Sequence, residues 1–245
     1  MPRAFFCLFL ISSLTLEGQQ AASPDWTIDT FRWTGLLAPS TRIEVRNLYG
    51  DVRLREADAG EVVISAMIQR RTKDPVKPEV KIGRHRGRLT IEAVYPAAPH
   101  GDLHRVDIAV LVPHGVRLAV RTQDGMIECR GLENDVELES EGGAITFSTT
   151  GTARVSAGRG NIMADLRGRH WGKAPRLATR EGDITLRLPA NADARVRIRA
   201  PGEISVRRPA HVERRTSRGA VVTLGPGSRS LSLTTGRGGV TLVAP

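Results

Sequence analysis

The sequence predicts an all-β protein: a single-stranded, β-helix-like β-solenoid of short two-strand rungs, with longer antiparallel strands in its N-terminal half. Three observations predict it. A glycine flanked by alternating apolar residues recurs along residues 118–243. No stretch sustains a 3.6-residue apolar period, and Gly and Pro punctuate the interior. Aromatics make up only 4% of the chain, against 25 glycines, so the core must come from Ile, Leu, Val and Ala, which suits thin stacked rungs.

The repeat is defined by its corner. Leu118 and Val120 precede Gly125, and Ile127 and Cys129 follow it. The frame returns at Gly143 (Val136, Leu138; Ile145, Phe147) and at Gly160 (Ala153, Val155; Ile162, Ala164). It returns again at Gly182 (Leu177; Ile184, Leu186) and Gly238 (Leu231, Leu233; Val240, Leu242), and an isolated copy lies upstream at Gly50. Apolar residues at i and i+2 mark a strand with one buried face. The glycine permits a sharp or crowded corner. Most copies place Asn, Thr or Ser three residues before it (Asn47, Thr122, Ser140, Thr179, Thr235), where a short polar side chain can bond the turning backbone. With Gly202 and Gly219 included, the anchors are 17–22 residues apart, in the range of stacked repeats. Those two copies are imperfect by one residue, a slip that a bulge or looser corner must absorb.

The remaining elements follow in order. Residues 1–22 read as a signal peptide: Arg3, then the apolar run AFFCLFLISSLTL, too short to span a bilayer comfortably. Residues 23–40 hold Trp26, Phe31 and Trp33 and read as a cap whose aromatics pack over the end of the stack. Residues 41–117 contain the first copy and longer alternating runs, such as Val62, Ile64, Ala66 and Ile68, with Arg84–Gly87 as a hairpin turn. Residues 118–245 hold the repeats, continuous with 41–117, and no C-terminal anchor is expected.

The net charge of +10 directs attention to acidic partners. Two concentrations of cations stand out. The insertion 167–176 lengthens one rung and offers Arg167, Arg169, Trp171 and Lys173, either as a ligand contact or with Trp171 folded back between rungs. The run from Arg195 to Arg218 offers Arg197, Arg199 and Arg215, which strand alternation would gather into one patch. Recognised catalytic and cofactor motifs are missing. His100 and His104 lie i, i+4 in a loop, which does not place them together, and no metal site is expected. The RG fragments fall at repeat corners, so nucleic acid is not an expected partner. Once the leader is removed Cys129 is left alone, in the inward register.

With the frame laid out, the chain resembles the exported bacterial family of putative adhesins, β-strand-repeat proteins related to the head domains of autotransporter adhesins. The resemblance runs through IEVRNLYGDVRL at 43–54, RLTIEA at 88–93, VDIAVLVP at 106–113, LAVRTQDGMI at 118–127 and TREGDITL at 179–186. It implies a solenoid-like fold in the cell envelope, at the periplasm or surface, with no catalytic residues or cofactor to carry over. The expected role is a non-catalytic binding or structural module. Its expected partner is an anionic envelope glycan or lipid met through Arg-rich surfaces, or an envelope protein. The alternatives are an envelope-stress sensor or partner subunit, and a polysaccharide-active β-helix enzyme using acids such as Asp124, Glu141, Glu181 and Asp183.

Overall fold

The computed structural model describes residues 26–57, 60–72, 74, 76–95, 104–168, 171–207 and 211–244; the expected signal peptide lies outside them. All regular structure among these residues is β-strand. The recurring unit is a strand in one sheet, a corner, and a strand in a second sheet. β1 (Trp26–Leu36) precedes the first unit, β2 (Arg42–Tyr49) with β3 (Val52–Glu56). β4 (Glu61–Arg71), the hairpin of β5 (Glu79–His85) and β6 (Arg88–Val94), and β7 (His104–Val112) follow. Next come β8 (Arg117–Asp124) with β9 (Ile127–Leu132), β10 (Asp135–Ser140) with β11 (Ile145–Thr149), and β12 (Ala153–Arg159) with β13 (Ile162–Leu166). β14 (Arg176–Glu181) with β15 (Ile184–Arg187) and β16 (Ala194–Arg199) with β17 (Ile204–Arg207) complete the consecutive units. A hairpin, β18 (His211–Thr216) and β19 (Gly219–Leu224), separates them from the last unit, β20 (Ser230–Arg237) with β21 (Val240–Val243).

Sheet I runs β1-β4-β7-β3-β9-β11-β13-β15-β21-β17, and sheet II runs β18-β19-β16-β20-β14-β12-β10-β8-β2-β6-β5. Neither closes on itself. Successive units pair parallel and in register, so like residues stack on like. In sheet I one inward column reads Ile108, Val52, Ile127, Ile145, Ile162, Ile184, Val240, Ile204. β-Branched side chains suit such a column because a pleated surface restricts their χ1 little further. These residues belong to one continuous core between the sheets. Cys129 lies in the neighbouring column, and burial pushes its thiol far above the usual range.

Three features bind one unit to the next. From Gly125 on, each corner glycine faces the carbonyl of the corner glycine on an adjoining unit, and Gly50 faces Val106 O: a Cβ on Gly143 would lie 2.0 Å from Gly125 O, and one on Gly182 would lie 2.3 Å from Gly160 O. The buried hydroxyl three residues before the glycine donates across the same gap, Ser140 to Gly125 O (3.2 Å), Thr179 to Gly160 O (3.0 Å) and Thr235 to Gly182 O (2.9 Å). Residues just after the glycine form a third ladder. Asp51 Oδ1 accepts from Met126 N, Asn161 Oδ1 from Asp183 N, and Asp183 Oδ1 from Gly239 N. Of the polar residues read as local turn partners, Ser140, Thr179 and Thr235 tie their corner to its neighbour, and Asn47 bonds both its own Gly50 O and Val106 O of the adjoining strand.

Units stack in an order different from the chain order. β6/β7 lies outside β2/β3, and β20/β21 lies between β14/β15 and β16/β17. The longer antiparallel strands expected in the N-terminal half are β4 with β7 and β5 with β6; β6 and β7 in addition pair parallel to β2 and β3. Gly219 is not a corner; it opens β19, which pairs antiparallel with both β16 and β18. The slip at Gly202 is absorbed at its corner: Ile198 aligns with Leu233 and Ile204 with Val240, one fewer residue intervening on the Gly202 side. Antiparallel strands cover three of the sheet ends, as edge protection requires. At the fourth, β17, the guanidinium of Arg215 donates to Ile204 O at 2.9 Å. β1 supplies the N-terminal edge of sheet I, with Phe31 and Trp33 against the core and the Arg71 and Arg84 guanidiniums over the rings of Trp26 and Trp33.

Candidate anion-binding face

The outward face of sheet II carries the charge pattern of interest. Strand alternation buries Val155, Leu177, Val196 and Ile198 and turns Arg154, Arg176, Arg197 and Arg199 outward. Register then aligns them. Arg154 is opposite Arg176, Arg176 opposite Ser232, and Ser232 opposite Arg197, giving one column up the sheet. Adjacent strands are about 4.8 Å apart, so Arg154 and Arg176 are next neighbours, and Arg197 follows one strand further on. The flanking outward positions are small: Ser156, Ala178 and Thr234. Among the described residues Arg154, Arg176, Arg197 and Arg199 have no carboxylate partner, whereas Arg195 beside them is paired with Glu213 at 2.7 Å.

Two shallow grooves border the column. One, of about 390 Å³, is lined by Arg117, Arg154, Lys173 and Arg176 together with Asp135 and Glu137. The other, of about 580 Å³, is lined by Arg197, Arg199, Arg218 and Thr216. A larger groove of about 1060 Å³ lies toward the N-terminal units, but there Arg121 is paired with Glu139 at 3.0 Å and Arg180 with Glu141 at 3.1 Å. Within the same column the N-terminal positions are Glu44 and Glu137, with Arg42 at 2.8 Å from Glu137 and Arg46 at 3.1 Å from Glu44. The cationic excess therefore belongs to the face from β12 to β16.

The residues singled out in the sequence separate in space. Arg197, Arg199 and Lys173 border this face. Arg215 is engaged with the β17 edge, and Arg167 leaves the end of β13 in sheet I, paired with Asp165 at 2.8 Å. Arg169 lies outside the described residues. Trp171 is buried, and its carbonyl accepts from Arg229. Arg176 closes the cationic insertion 167–176 but was not singled out within it, and Arg154, alone among apolar and small neighbours, was missed. The signal that finds them is the repeat position six residues before the corner glycine, read down successive copies. Three of the four acids considered for catalysis have structural partners: Glu181 pairs with Arg237 at 2.8 Å, Glu141 with Arg180, and Asp183 with the Gly239 amide.

No family model matches the sequence, and no curated protein matches it. In three dimensions the chain is similar to the crystal structure of a putative cell adhesion protein from Clostridium sporogenes. The alignment covers 89% of this chain and all of that one, with 12% identity and a TM-score of 0.50. The chain shares that protein's fold. Putative adhesins from Bacteroides fragilis (12% identity, 88% and 97% of the two chains, TM-score 0.37) and Parabacteroides merdae (10%, 88% and 96%, TM-score 0.33) also align. The likeness to the Clostridium sporogenes protein is one of fold. Among the described residues no helix is long and apolar enough to cross a membrane.

Proposed function

We propose that the chain is an exported cell-envelope β-solenoid of the putative-adhesin type, a non-catalytic module that binds an anionic envelope glycan or lipid. The observation that carries this reading is the column Arg154, Arg176, Arg197, exposed and without carboxylate partners among the described residues. A guanidinium presents a rigid fork of donors that matches carboxylate and phosphate oxygens bidentately. Cations repeated along a sheet meet successive charges of a polymer better than they meet one small anion. The small residues beside them leave room for a chain to lie flat. Fold alone does not fix function, so the argument rests on this face.

The test is binding of the protein to immobilised heparin, as a model polyanion, and to lipopolysaccharide over a salt series. Retention is expected to fall steeply with salt, because neutralising several charges releases counterions. Arg154→Glu with Arg176→Glu and Arg197→Glu should abolish it, while Arg167→Glu, in the opposite sheet, should change it little. Equal retention of the triple variant and the parent protein would reject the assignment. Vesicles of anionic lipid run in parallel separate a headgroup ligand from a glycan.

A further inference from the structure

The geometry points to a divalent-metal site of the zinc class formed by Glu56, His114 and Glu133, at the ends of three neighbouring strands of sheet I. Glu56 ends β3, His114 follows the end of β7, and Glu133 follows the end of β9, in the sheet order β7-β3-β9. One oxygen from each carboxylate and the imidazole Nδ1 lie within 4.8 Å of one another. His114 Nδ1 is 3.5 Å from Glu133 Oε2 and in closer contact with Glu56 Oε1. A tetrahedral ion with metal–ligand bonds of about 2.0–2.2 Å holds its donors ~3.4 Å apart; His114 and Glu133 stand at about that separation, and an ion would enter by opening the His114–Glu56 contact.

The charge balance also points to an ion. Glu56 Oε1 is turned in against His114 Nδ1, while its other oxygen accepts from Glu133 N at 2.9 Å. The chain carries a net charge of +10, and Arg pairs with Glu44, Glu128, Glu137, Glu139, Glu141 and Glu181. Yet among the described residues no Lys or Arg pairs with Glu56 or Glu133. A neutral imidazole leaves this group at −2, the charge a divalent cation cancels. One imidazole with carboxylates suits Zn²⁺ and its first-row neighbours.

The ligands are held by contacts outside the site. Buried Asn134 donates to Pro113 O at 3.3 Å, joining the segment that carries Glu133 to the one that carries His114. Val112 O accepts from Ala57 N at 2.8 Å, fixing the end of β3 beside β7. The place matters for the fold. Between β7 and β8 the chain passes over β3, from the outer unit to the unit on its other side. A bound ion fastens that crossing, and water completes its coordination. The three ligands are far apart in sequence, which is why no spacing motif marks them.

The experiment is calorimetric titration of the untagged protein with Zn²⁺, with Co²⁺ absorption as a second readout. One equivalent should bind, and Glu56→Gln and His114→Ala should each weaken binding by at least about tenfold. His85→Ala, in the exposed turn of the β5–β6 hairpin, should leave it unchanged. If Glu56→Gln does not fold, Glu133→Gln tests the same prediction from the surface. Absence of Zn²⁺ binding at millimolar metal, leaving a plain His–Glu ion pair, would overturn the proposal. Undiminished binding in His114→Ala would also overturn it.

Discussion

At the scale of the residue, the corner glycines are set by their neighbours rather than by the turn alone. The Cβ that any other residue would place at Gly143 sits 2.0 Å from Gly125 O, well inside van der Waals contact, and the clash is with backbone that cannot swing away. Gly143→Val should therefore cost about 3 kcal/mol. Gly172, beside which a Cβ meets nothing within 4 Å, is the control. Gly172→Ala should change stability by no more than about 0.5 kcal/mol. Chemical denaturation of the two variants checks this; equal midpoints would remove the glycine stack from the account. The need for glycine was legible in the sequence. Its reason was not, because the close approach is between units and no single copy of the repeat contains it.

At the scale of the element, pairs of strands are joined by charges as well as by backbone. Glu44, on β2, is buried on the outward face and lies 3.1 Å from Arg46 of the same strand and 3.4 Å from Arg88 on β6. Burial alone would raise its pKa above the ordinary 4.5, but the bond from Arg46 and the charges of Arg46, Arg88 and Arg42 outweigh it, and the net shift is downward. A depressed carboxyl contributes stability that is complete above its unfolded value and is lost as pH falls through the folded one. The parent protein should lose thermal stability below pH 4.5 more steeply than Glu44→Gln, the two converging in strong acid. Parallel melting-temperature profiles across that range would contradict the pairing of β2 with β6 through this group. Elements were the most legible level of the chain. Alternation placed the buried faces of the repeats and of β4, β6 and β7, and RHRG marked the β5–β6 turn. Gly219 misled because a hairpin entry and a corner share glycine followed by alternating apolar residues.

At the scale of the molecule, the order of the units is what the sequence hid. Every copy presents similar residues to both neighbours, so local pattern permits several orders, and only the long excursions through β4–β6 and β18–β19 select one. The same property concealed the candidate face. Arginines crowded between 167 and 176 and between 195 and 218 drew attention by density, but Arg154 and Arg176 become neighbours of Arg197 only once β20 is seated between β14 and β16. Trp171 was open to two readings, a ligand contact or a side chain folded back between rungs, and a core poor in large side chains takes it inside. The interposed unit is also the point at which the account is most exposed to measurement.

That measurement is a set of methyl–methyl nuclear Overhauser contacts among Leu177, Leu233 and Ile198. The account predicts that Leu233 contacts both of the others, as its register requires, with no direct contact between Leu177 and Ile198 across two strand spacings of about 4.8 Å each. A strong Leu177–Ile198 contact with Leu233 remote would mean that the units follow chain order, and would contradict both the stacking and the basic column built on it.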